Sequence, residues 1–151
     1  MKAEDFLSVT QRYVDAWTRH DISALDALYA QDAVRYRFGE RLGGKKEIQS
    51  DRRSLWRAFP DMAMTYQHQF VSGTHGVVLW TIRGTHSGTF ETSLGAMPAT
   101  GKWVEFRGAT IWEFDDRGLI VRENIYPDRL SLFQQLNAIR TNFAMPLEVA
   151  A

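Results

Sequence analysis

The sequence predicts an α+β fold, with helices gathered on one side of a curved antiparallel sheet. Between Leu79 and Asp128 lie three long apolar, aromatic and β-branched runs separated by turn-forming residues, the pattern of a meander. Residues 62–72 alternate in character and form a hairpin with 76–86 through Ser72-Gly73-Thr74-His75-Gly76. Other segments carry the 3.6-residue period of helices instead.

In chain order, residues 3–19 place Phe6, Val9, Tyr13, Ala16 and Trp17 at helical spacing, with Glu4 and Asp5 in the favourable first turn. After a break at His20-Asp21, Ile22, Leu25, Leu28 and Tyr29 mark a short second helix, capped by Asp21 or Ser23. Val34, Tyr36 and Phe38 then alternate with Arg35 and Arg37, predicting a short strand whose arginine face is wet. A third helix over 45–59 buries Ile48, Leu55, Trp56 and Phe59 and is stopped by Pro60. Asp128 caps a fourth helix over 129–140, with Leu130, Phe133, Leu136 and Ile139 as its stripe. The order is α-α-β-α-β-β-β-β-α.

At 151 residues the chain fits one domain spanning 1–151. Eighteen basic side chains balance eighteen acidic ones, which argues against nucleic acid as a partner; the arginines at 35, 37, 41, 52 and 53 read as a mixed solvated surface. Without cysteine there is neither disulfide nor thiolate chemistry. The start MKAEDFLSV lacks the apolar core of a signal peptide, and no apolar run approaches the roughly 20 residues of a membrane span. A soluble cytoplasmic protein without a membrane partner is the expectation.

Four words stand out: FPD at 59–61, WTIRGTHSGTF at 80–90, PATGKWVEFRG at 98–108 and YPDRLSLFQQL at 126–136. In this element order they resemble the SnoaL-like branch of the nuclear transport factor 2-like superfamily, over nearly the whole chain. The resemblance implies a cone-shaped barrel of curved sheet and helices enclosing an apolar cavity. It also implies a homodimer formed through the outer sheet face, with Arg107, Ile111 and Arg122 on or near the interface. Characterised relatives include cyclases acting by intramolecular aldol condensation, and isomerases, dehydratases and epoxide hydrolases share the broader fold.

Polyketide cyclases of this type resemble one another in pairing a His on the penultimate strand with an Asp on the last. The matching positions here are Thr110 and Ile125, so the dyad is absent. An epoxide hydrolase of this fold needs an Asp on the last strand, and Ile125 argues against that reaction as well.

Alternation places Val104, Phe106, Gly108, Thr110 and Trp112 on the inward face of the 103–114 strand, because that set holds no charge. In the family the residue three before the capping Asp points inward, which puts Ile125 and hence Glu123 inside. Two catalytic candidates follow. Glu123, buried beside Phe106 and Trp112, would have a raised pKa and act as a general base, or else pair with Arg107 or Arg122 on a wet face. His86, in GTHSG, would sit at the cavity mouth, or else be a loop histidine bonding backbone. The expected substrate-binding set is Tyr13, Trp17, Tyr66, His68, Trp80, Phe106, Thr110, Trp112 and Ile125, with His68 sharing the inward face of Tyr66.

No metal is expected, since His20, His68, His75 and His86 show no paired ligand spacing. The expected function is a cofactor-independent cyclase, isomerase or dehydratase. It would act on a small polyketide- or terpene-like substrate in a deep cavity by acid/base and shape control. The competing expectation is a non-catalytic carrier of a lipophilic small molecule.

Overall fold

The computed structural model describes residues 1–140; residues 141–151 of the single-domain reading lie outside them. Helix α1 (Ala3–Thr18) packs Phe6, Tyr13 and Trp17 against the sheet, and α2 (Ile22–Asp26) follows with Asp21 as its cap, accepting from Ala24 N at 2.9 Å. Strand β1 (Tyr29–Arg37) turns into β2 (Glu40–Gly43), and α3 (Gly44–Ala58) follows, ending two residues before Pro60. The meander comprises β3 (Ala63–Ser72), β4 (His75–Thr85), β7 (Trp103–Phe114) and β8 (Ile120–Pro127), and α4 (Arg129–Gln135) closes the sequence of elements. A small hairpin, β5 (Phe90–Thr92) and β6 (Gly95–Met97), stands apart in the loop after β4.

The α+β architecture is the expected one, with helices covering a curved six-stranded sheet ordered β2-β1-β8-β7-β4-β3. Two details differ. The sheet is mixed, because β1 lies parallel to β8, with Arg35 opposite Glu123 and Arg37 opposite Ile125. A parallel neighbour needs a long crossover, supplied here by α3 and the whole meander. The sheet is also open, with β2 and β3 as its edges.

Local predictions failed where distant partners overrode them. Leu28 and Tyr29 leave the helical stripe because Leu28 O accepts from Ile120 N and Tyr29 begins β1. The fourth helix ends early. Asn137 adopts φ +56° and Ala138 N donates to Phe133 O at 2.8 Å, a left-handed cap that stops the turn. On β1 the face assignment inverts: Ala33 and Arg35 point inward and are buried, and Arg37 follows them. Arg52 also lies inside, on the Ile48–Trp56 stripe of α3. Two of the five arginines assigned to a solvated surface are therefore core residues.

Besides β1, α3 packs against the loop that follows β4. Ser87 N and Gly88 N both donate to Ala58 O, at 3.1 and 3.0 Å, tying the start of the β5–β6 loop to the end of α3. A Cβ at Gly88 would collide with the Arg57 carbonyl, which is backbone and cannot rotate aside. Gly88→Ala is expected to cost about 1–3 kcal/mol through overpacking. Urea denaturation monitored by tryptophan fluorescence measures it; an unchanged midpoint would show that the helix end yields freely.

Candidate functional site

A buried carboxylate sits where five elements meet. Glu123 on β8 has no exposed surface. Its Oε1 accepts from Tyr13 Oη of α1 at 2.9 Å and from Trp112 Nε1 of β7 at 3.1 Å. Its Oε2 accepts from Tyr29 Oη of β1 at 2.8 Å, with Arg52 Nη2 of α3 and Arg35 Nε of β1 each at 3.3 Å. Arg52 also donates to both tyrosine hydroxyls. Four hydrogen-bond donors occupy a group with about four lone-pair sites, and the Arg35 ion pair adds a fifth contact, so no site remains for a substrate proton.

The position of Glu123 is the inward one expected, but its electrostatics are reversed. Burial pushes the carboxyl pKa up, yet Arg35, Arg52 and the donated hydrogen bonds outweigh it, and the net shift is downward. The alternative pairing with Arg107 or Arg122 is not found; Arg122 instead faces Glu113 at 3.7 Å on the outer surface. Arg52 is held protonated against the cost of its burial by Tyr13, Tyr29 and Glu123.

Above this cluster lies a cavity of about 60 Å³. Trp17, Met64, Trp80, Ile82, Phe106, Ile125 and Leu132 make its wall apolar, and Tyr13, Thr110, Arg35, Arg37 and Arg129 supply the polar groups. Of the nine expected binding residues, Tyr13, Trp17, Trp80, Phe106, Thr110 and Ile125 line it. Trp112 lies behind the wall, fully buried against Tyr13 at 4.9 Å between ring centres. Tyr66 packs edge-on to Trp112, its hydroxyl buried without a partner.

His68 is on the opposite face of the sheet. The β3–β4 register slips between Tyr66 and His68, so one extra residue reverses the alternation. Met62, Met64 and Tyr66 face inward before the bulge; afterwards Gln69, bonded by Thr10 Oγ1, and Val71 face inward. His68 stacks on exposed Phe70 outside.

His86 is buried but does not line the cavity. It stacks on Phe59 and meets Phe90 edge-on, at 5.1 and 6.1 Å between ring centres. Its Nδ1 accepts from Thr100 N at 3.3 Å, and its backbone bonds Lys102 O and Gly101 N, both at 2.8 Å. Burial pushes its pKa down, with the Gly88 backbone offsetting part of the effect. The geometry is that of a loop histidine stapling the 98–102 segment, the second of its two expected roles.

Thr110 and Ile125, the positions of the missing dyad, are cross-strand partners on β7 and β8. Trp80 Nε1 donates to Thr110 Oγ1 at 2.9 Å, which leaves the threonine's own proton free to be donated into the cavity. Sequence reasoning missed the arginines. Arg52 was visible as the i+4 residue between Ile48 and Trp56, but Arg35 and Arg37 required the pairing of β1 with β8. Phe38, at the mouth, holds φ +53° beside Gly39 at +79°, a two-residue hairpin turn. The left-handed conformation costs a phenylalanine about 1–2 kcal/mol. Among the described residues no three His, Asp or Glu side chains converge to hold a metal, and no helix is long and apolar enough to cross a membrane.

The sequence matches the family model of the SnoaL-like polyketide cyclases over residues 7–136. No curated protein sequence matches it. Among solved structures, AclR from Streptomyces galilaeus, described as a proposed hydroxylase, superposes with a TM-score of 0.80 at 21% identity, covering 93% of this chain and all of AclR. TsrD from Streptomyces laurentii gives 0.80 at 22% identity, covering 92% and 99% of the two chains. IdmH from Streptomyces antibioticus, described as a proposed polyketide cyclase, gives 0.70 at 24% identity, covering 86% and 96%. At these identities the structural likenesses establish the fold alone.

Glu123→Gln would leave Arg35 and Arg52 buried with too little negative charge, and is expected to destabilise by about 3–5 kcal/mol. Because the folded pKa of Glu123 lies below the ordinary 4.5, its stabilisation is present above that value and is lost as pH falls through the folded pKa. His86, also depressed, contributes an earlier loss beginning as pH drops below 6.5. Denaturant midpoints from pH 8 to 3 would show both arms in the parent. Glu123→Gln should flatten the lower arm only; an unchanged lower arm would refute the assignment.

Proposed function

Because the chain belongs to the SnoaL-like polyketide cyclase family, we propose that it is a cofactor-independent enzyme acting on a small hydrophobic, polyketide-like substrate. The observation that supports this reading is an apolar cavity crossed by a few fixed hydrogen-bond donors. Thr110 offers its hydroxyl proton, and Arg35 donates Nη1 to Asp51 and holds Nε 3.3 Å from Glu123 in an ion pair, while no protein group among the described residues takes Nη2. A substrate carbonyl placed between them would be polarised by donors already aimed at its oxygen, which makes its carbon the electrophile of a ring closure. The aromatic walls hold the chain in a folded shape that brings its reacting ends together.

In this reading neither Glu123 nor His86 transfers a proton. Glu123 is a positioning residue: its negative charge holds Tyr13 and Arg35 at the cavity edge. The chemistry is electrophilic assistance to cyclisation or isomerisation rather than the His/Asp acid/base route of the resembling cyclases.

One observation favours the carrier alternative. The ionisable groups on the wall are a tyrosine and three arginines, and burial moves Tyr13 further above neutrality, with Arg52 opposing. Native mass spectrometry after exposure to a polyketide extract separates the two: a ligand recovered unchanged supports carriage, and a product of altered structure supports catalysis.

We also propose that a second copy covers the outer sheet face, where Phe70, Trp103 and Tyr126 are about 60% exposed. Sedimentation as a monomer at micromolar concentration would refute this.

For the enzyme reading, Thr110→Val should lower kcat/KM about tenfold, the worth of one hydrogen bond to a developing charge. Thr110→Ser should retain most activity because the hydroxyl survives. Equal turnover by the Val and Ser variants would remove Thr110 from the mechanism.

A further inference from the structure

The mouth of the cavity carries positive charge that the protein does not neutralise. Arg35, Arg37 and Arg129 all reach the inner cavity, and an outer vestibule of about 190 Å³ continues from it, sharing Arg37, Phe38 and Arg129. Asp51 serves two of these cations, accepting from Arg35 Nη1 at 3.0 Å and from Arg37 Nη2. Glu123 serves Arg35 and Arg52. Three guanidinium groups thus share two carboxylates, and the fourth, that of Arg129, has neither.

Arg129 has no carboxylate partner among the described residues. Its Nη2 donates to Ser93 Oγ at 2.9 Å, and its guanidinium lies 3.9 Å from the Phe38 ring centre and 5.2 Å from that of Phe133. The Nε of Arg129 and the Nε of Arg37 are both buried without a hydrogen-bond partner. A buried cationic donor without a protein acceptor is costly, and two at one opening suit an anionic acceptor. Burial, with Arg35 and Arg129 nearby, pulls the Arg37 pKa down against the pull of Asp51 and Glu40. The acidic residues of the vestibule, Glu40 and Glu91, are exposed on its outer rim.

We propose that the ligand of this cavity is amphipathic and anionic, with a carboxylate head held between Arg37 and Arg129 and an apolar body running inward past Trp17 and Trp80. The inference rests on reading the cavity as the ligand site and adds the ligand's charge class. A planar carboxylate suits the forked guanidinium donors, and Phe38 stacked on Arg129 keeps water from the pair.

Octanoate, octanol, octylamine and octyl phosphate, titrated against the full chain by calorimetry and tryptophan emission, test this. Octanoate should bind at least about tenfold more tightly than octanol, and octylamine least tightly. Raising the salt concentration should narrow the difference between acid and alcohol. Arg129→Gln and Arg37→Gln should each narrow the ratio of octanoate to octanol affinity; the comparison of probes on the parent chain stands even if a variant misfolds. Equal affinity for acid and alcohol would overturn the charge assignment while leaving the cavity as a ligand site. Tighter binding of octyl phosphate than of octanoate would overturn the carboxylate class. Failure of all four probes to bind would overturn the cavity reading together with this inference.

Discussion

The Glu123 carboxylate is the constraint on which the rest of the architecture depends. Its donors come from α1, α3, β1 and β7, and it stands on β8, so satisfying one buried charge brings five elements to one point. An unpaired carboxylate in that position would be intolerable, and each donor is itself buried and in need of an acceptor. The cluster therefore specifies register as well as proximity. Arg35 lies opposite Glu123 in the parallel β1–β8 pair, so a shift by one residue would send the arginine to the outer face.

The same cluster shapes the site. By saturating Glu123 it withdraws the most obvious acid/base group from chemistry, and by anchoring Tyr13 and Arg35 it presents fixed donors at the edge of an apolar chamber. In the proposed reading, such a chamber would favour reactions that need orientation and charge stabilisation more than proton traffic. Thr110 follows the same logic: Trp80 fills its acceptor side and thereby aims its donor side.

Much of this was legible in the amino-acid order. Alternation on β7 correctly placed Phe106, Thr110 and Trp112 inward, because the two faces differed cleanly in charge. The last strand placed Glu123 and Ile125 inward through the resemblance at YPDRLSLFQQL. The errors have specific causes. His68 was assigned to the cavity because strict alternation was carried through a bulge, and a bulge leaves no compositional mark in TYQHQF. For His86 the loop context left two roles open, and the choice between them rests on its stacking on Phe59, which depends on where α3 ends.

What the sequence determined by itself was the class of fold, most elements and the apolar lining, since these follow from short-range periodicity and turn chemistry. What only the tertiary structure decided was the meaning of the charges. Whether Arg35 meets water or a carboxylate depends on β1 finding β8 some ninety residues away. Whether Glu123 is a raised base or a locked anion depends on two guanidinium groups from separate elements. Apolar side chains declare their preference for the interior individually, whereas a charge is tolerated there only through partners that folding supplies.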